Sequence, residues 1–111
     1  MKSKRELGRF DVVYLDGVHD FLHDALACCL LKMLLKPQGY IIFDDVQWAW
    51  EYYVKEVDDV EGRKWALSHY TDSQIKDFQV GRTLQIFMDD DDTFQRLPLP
   101  SVRRAMYQKI R

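Results

Sequence analysis

The stretch FDVVYLDGVHDFLHDALACCLLKMLLKPQGYIIFDDV, from Phe10 to Val46, constrains the fold more than any other part of the chain. Its first run, Asp11 to Asp16, is β-branched and aromatic, which favours a strand, and Gly17 breaks it. From about Asp20 to Leu35 the apolar residues Phe21, Leu22, Ala25, Leu26, Cys29, Leu30, Met33 and Leu34 recur as pairs every four residues. That spacing predicts a helix with one broad apolar face. Lys36-Pro37-Gln38-Gly39 reads as a stop and a tight turn, and Tyr40 to Phe43 as a second short strand. Strand, helix, turn and strand make a βαβ unit, and its continuous apolar strands suit a parallel sheet covered on both faces. In open parallel sheets ligands bind outside the carboxyl ends of the strands. Asp16 stands at one such end and Asp44-Asp45 at the other, so the three carboxylates are expected to converge.

Beyond Asp45 comes the tryptophan-rich segment QWAWEYYVKEV, in which Trp50, Tyr53, Val54 and Val57 predict a helix that ends near Gly62. Lys64 to Tyr70 reads as a strand. Val80 to Met88 reads as another, with Leu84, Ile86 and Met88 alternating with Thr83, Gln85 and Phe87. The connection Thr71 to Gln79 makes these two an antiparallel pair. Asp89 to Asp92 reads as a solvated charge run, with a cation site as the alternative. Residues 93–111 form a basic tail, read as helical with Ser101 as its N-cap.

The chain has 111 residues, which suits a single domain. A net charge of -2 argues against a strongly basic nucleic-acid surface. No apolar run approaches the roughly 20 residues that span a bilayer, and the start, MKSKRELGRF, has no apolar stretch behind it of signal-peptide type. The expectation is a soluble, cytoplasmic protein with neither nucleic acid nor membrane as partner. Cys28 and Cys29 are adjacent and read as two small buried hydrophobes on a helix. His19, His23 and His69 have no zinc-site spacing.

Ionised aspartates side by side at an apolar strand end repel each other unless paired or bound to a cation. Magnesium, an oxygen-seeking ion that keeps several waters, suits Asp16, Asp44 and Asp45. It could hold substrate oxygens and lower the pKa of a hydroxyl. His19, just past the first strand end, is a candidate base for that proton. The alternative readings are a turn residue for Asp16, a helix cap for the Asp44-Asp45 pair and a helix-start residue for His19. His23 reads as helix surface. Trp50 reads as core, and Trp48 as either core or the wall of a substrate site.

Asp16-Gly17-Val18-His19, Leu35-Lys36-Pro37-Gln38-Gly39 and Asp44-Asp45 together resemble the second half of a class I S-adenosylmethionine-dependent methyltransferase. The likeness is to the metal-dependent O-methyltransferases and covers roughly Phe10 to Trp50. It implies an α/β fold, a partial Rossmann-like sheet made of strands four to seven, the last antiparallel, with flanking helices. It further implies S-adenosylmethionine as donor, a small-molecule hydroxyl as acceptor, and Asp16, Asp44 and Asp45 as ligands of Mg2+ or a similar divalent cation. His19 falls where some relatives place a residue near the acceptor hydroxyl, which keeps it a candidate base. The cofactor half of that family has no counterpart here: no two of the five glycines lie within two residues of each other, and only nine residues precede Phe10. The fourth strand would then leave an open edge, inviting a homodimer or a partner chain. A non-catalytic dimerisation or protein-interaction module derived from the same fold is the alternative to an enzyme. A metal-dependent hydrolase ranks last, for want of a serine or cysteine nucleophile in a recognisable elbow.

Overall fold

The computed structural model describes residues 8–17 and 19–111. Residues 1–7, included in the single-domain reading, and Val18 of the Asp-Gly-x-His motif lie outside the described residues. The fold is mixed α/β, with a four-stranded mixed sheet and five helices among the described residues. In chain order these are β1 (Phe10–Leu15), α1 (Phe21–Leu34), β2 (Leu35–Phe43), α2 (Trp50–Glu56), α3 (Val60–His69), α4 (Asp72–Lys76), α5 (Gln79–Phe87), β3 (Phe94–Leu97) and β4 (Ala105–Lys109).

The βαβ unit forms as its pattern requires. Asp20 caps α1 by accepting from the His23 N–H, and β1 then pairs parallel with β2. The expected tight turn at Lys36–Gly39 is instead a bulged start to β2: Phe10 pairs with Leu35, whereas Val12 pairs with Tyr40. Gln38 adopts a left-handed backbone there, with φ 69°. Gly39 lies so close to the Asp11 carbonyl that a Cβ would stand 2.8 Å from it.

Sheet order is β1-β2-β4-β3, with β4 antiparallel to both its neighbours. The last strand is therefore the antiparallel one, and β3 runs in the direction of β1 and β2. Phe43 pairs with Leu15 on one side and with Ala105 on the other, so the start of β4 meets the ends of β1 and β2. The core joins Ile41, Phe43, Ala105 and Tyr107 of the sheet to Val80 and Leu84 of α5, to its C-cap Met88 and to Cys28 of α1. Phe43 and Tyr107 meet edge-to-face at 5.9 Å.

Several expected elements are different. The run Lys64–Tyr70 is not a strand: its residues up to His69 belong to helix α3, begun by Asp59, whose carboxylate accepts from the Gly62 N–H, and Tyr70 is the C-cap. Gly62 therefore lies inside a helix instead of ending one. Val80–Met88 is also helical. Val80, Thr83, Leu84 and Met88 are buried while Ile86 is exposed, which is the 3.6-residue period and not alternation. The Thr71–Gln79 connection carries α4, opened by a capping box between Thr71 and Gln74. The tail forms the β3–β4 hairpin in place of a helix; Ser101 accepts from the Arg103 N–H in a local turn, and Ala105 and Tyr107 alternate inward. Cys29 is exposed; only Cys28 is buried.

Helix α1 also turns an unexpected side to the core. It buries Asp24, Ala25 and Cys28, while Leu22, Leu26, Leu30 and Met33 of the predicted apolar face are exposed. No helix among the described residues is long and apolar enough to cross a membrane.

Candidate functional site

The carboxyl ends of β1 and β2 lie side by side because Leu15 and Phe43 are paired. Asp16, His19 and Asp45 converge there, each offering a ligand atom within 4.8 Å of the others. His19 Nε2 lies 2.7 Å from Asp45 Oδ2 and 3.9 Å from Asp16 Oδ1. A carboxylate only accepts, so Nε2 donates to Asp45 in the neutral tautomer and Nδ1 keeps its lone pair. His19 (φ 62°) and Asp45 (φ 56°) both hold left-handed backbone conformations, which costs on the order of 1 kcal/mol each.

The loop after β2 and the start of α2 hold His19 in place. Trp48 packs on its imidazole with ring centroids 4.7 Å apart. Trp50 Nε1 donates to the His19 carbonyl at 3.1 Å, and Tyr70 Oη donates to Asp20 Oδ2 at 2.5 Å. Burial pushes Asp20 up, but the bonds from Tyr70 and His23 outweigh it and leave the carboxyl below its usual range. Trp50 is only partly buried, the hub of a cluster with Trp48, Tyr53, Trp65 and Tyr70. Trp48 also lines a shallow depression of about 230 Å³ with Asp45, Gln47, Val102 and Arg103.

Asp44 sits apart from this group. Only 5% exposed, it accepts from Tyr14 Oη at 2.5 Å, from the Asp45 N–H at 2.8 Å and from Arg103 Nε at 2.9 Å. Burial raises its pKa, yet those donors outweigh burial and hold it below the usual carboxylate range. Arg103 Nε also donates to Asp45 Oδ1 at 3.1 Å, so one guanidinium bridges the adjacent carboxylates. Arg104 Nε donates to Tyr14 Oη at 3.2 Å. Sequence reasoning missed both arginines, because the tail that carries them was read as a helix.

Asp24, also missed, is 3% exposed, and its Oδ2 has no hydrogen-bond partner. It packs against Gly17, where any Cβ would collide with its carboxylate, and burial raises its pKa. His23 is exposed on α1, beside its cap Asp20. In the Asp89–Asp92 run, Asp89 accepts from Tyr107 Oη at 2.6 Å and Asp91 pairs with Lys32 at 2.6 Å, while Asp92 faces Arg111 at 3.8 Å. No family model, curated protein or solved structure matches the chain.

Proposed function

We propose that this chain carries the cation and acceptor corner of an S-adenosylmethionine-dependent O-methyltransferase of the class I type, acting on a small-molecule hydroxyl. The observation that carries the reading is the pairing of His19 with Asp45 across two strand ends, each held in a left-handed backbone conformation. Strained residues that face each other at the carboxyl ends of parallel strands are the pattern expected of a built site. The strand order adds support, since the resemblance implies a sheet whose last strand is antiparallel.

Two carboxylates and an imidazole fit a divalent cation, with Asp16, His19 and Asp45 as its holders. A bound cation of this kind lowers the pKa of a ligated hydroxyl. The imidazole makes the set softer than three carboxylates, which favours manganese or zinc beside magnesium. Asp44, in this reading, orients Arg103 and Asp45 and is not itself a ligand. Where no cation is held, the Asp45-oriented His19 offers Nδ1 as a base. Trp48 walls the acceptor side. The donor does not fit: the chain has no Gly-x-Gly loop, so its pocket must come from elsewhere.

Calorimetric titration with Mn2+ tests the corner. His19→Ala and Asp45→Ala should each weaken binding about tenfold or more, with Asp92→Ala unchanged. Equal effects at all three positions would sink the assignment. A following titration with S-adenosylmethionine separates the two functional readings. Heat would raise autonomous activity, and its absence favours the non-catalytic interaction module. That second reading draws on the exposed edge of β1, where Phe10, Val12 and Tyr14 are about half exposed.

A further inference from the structure

Helix α1 is apolar on both sides. Its inner side reaches the core through Cys28, and Leu31 packs against that core. Leu22, Leu26, Leu30 and Met33 point the other way, 74%, 62%, 47% and 52% exposed. A helix that is apolar all round is normally covered all round. The cost of the present packing is visible as well, since α1 turns the Asp24 carboxylate inward, its Oδ2 without a hydrogen bond among the described residues, while leaving leucines in water.

We infer that this outer stripe is the interface of a homodimer, in which α1 of a second copy packs against it. Three features of the stripe select a second copy. Leu22, Leu26, Cys29 and Met33 follow steps of four, three and four, the heptad seam by which like helices pair. No charged residue interrupts those positions, so two copies meet without like-charge repulsion. The four large side chains expose on the order of 450 Å² per copy, so a pair would bury nearly the roughly 1,000 Å² that a specific interface needs before its rim is added. Isologous pairing about a two-fold axis is also the commonest closed assembly. The inference stands whether or not the Asp16–His19–Asp45 corner binds a cation.

Sedimentation velocity of the full chain through the micromolar range is the test. The wild type should sediment at twice the 13.3 kDa monomer mass. Leu26→Glu should raise the dimer dissociation constant about tenfold or more, with an unchanged circular-dichroism spectrum. Leu22→Glu, at the most exposed stripe position, should do the same. Mixing Leu26→Glu with Leu26→Lys should restore the dimer, because the two substituted helices then attract. A monomeric wild type would overturn the inference and leave the stripe to a different partner. A dimer indifferent to Leu26→Glu and Leu22→Glu would overturn it too, and would move the interface to another surface such as the edge of β1.

Discussion

Replacing Asp44 with asparagine keeps the shape of the side chain and removes its charge. In the wild type the carboxylate accepts from Tyr14 Oη, the Asp45 N–H and Arg103 Nε, while only 5% exposed. Asparagine has one acceptor oxygen, and its amide must face one of the two donor sets, so at least one donor is left without its bond. Hydrogen bonds to a charged group contribute about 1.5–3 kcal/mol each. The Arg103 side chain is 60% exposed, so water recovers most of its share and that pairing adds little. The expected loss for Asp44→Asn at neutral pH is therefore about 2–4 kcal/mol. Its pH dependence has a definite sign. The folded pKa of Asp44 lies below that of a free aspartate, so its contribution is complete above the unfolded value and is lost as pH falls through the folded one. Wild type and variant should thus converge in acid. Urea unfolding at neutral pH and through the acid range measures both. A difference under about 0.5 kcal/mol at neutral pH would be a surface-type effect and would refute the buried anchor. A gap that did not shrink in acid would refute the assignment of the effect to charge.

Asp24→Ala should stabilise the fold by about 1 kcal/mol or more at neutral pH, since it removes a buried carboxylate whose Oδ2 has no hydrogen bond among the described residues and improves helix propensity. Because burial raises the Asp24 pKa, the gain should vanish in acid, where the wild-type carboxyl is neutral; a loss of stability in urea titrations would show a partner for that group. Gly17→Ala alone should cost about 1–3 kcal/mol by collision with the same carboxylate, and Asp24→Ala should recover most of it in a double-mutant cycle. In a Cys29→Ser background, Cys28, whose thiol burial pushes up to about 11, should react with a disulfide reagent only after unfolding; rapid native labelling would contradict its place in the core.

The parts of the fold that were legible in the sequence are those specified locally. The βαβ unit announces itself because each of its signals lies within a few residues: the apolar runs of the two strands, the Gly17 break and the apolar pairs that recur every four residues. The second half was misread where two periodicities fit the same residues. Leu84 and Met88 satisfy both alternation and a helix, and only the burial of Val80 and Thr83 with the exposure of Ile86 decides between them. Gly81 carried a usable signal, since its backbone lies against the Val46 carbonyl, where a Cβ would stand 2.7 Å away. For the tail, alternation of Ala105 and Tyr107 with Met106 and Gln108 was present, but Ser101 looked equally like a helix cap. Asp59 before α3 is a cap of the same kind as Asp20, but the short run around Trp65 fits a strand as well as a helix.

The site shows the same division. That Asp16 and Asp45 meet follows from two strand ends in one parallel pair, which the order of the elements in the sequence suggests. That the adjacent aspartates take separate roles does not follow from sequence order, because it depends on β4. An antiparallel strand inserted beside β2 must begin where β2 ends, and this brings Arg103 to both carboxylates across 59 and 58 residues of chain. Tyr14, on the next strand, then completes the enclosure of Asp44, while the left-handed backbone at Asp45 turns its carboxylate to His19. One carboxylate is thereby fixed by three donors and the other keeps an oxygen on an imidazole. The same guanidinium sets a limit on cation binding: it already neutralises Asp45 in part, so Arg103 and a divalent ion compete for that charge. Removing Arg103 should therefore tighten Mn2+ at the corner even as it weakens the hold on Asp44, an opposition that no single-role reading of the aspartate pair produces.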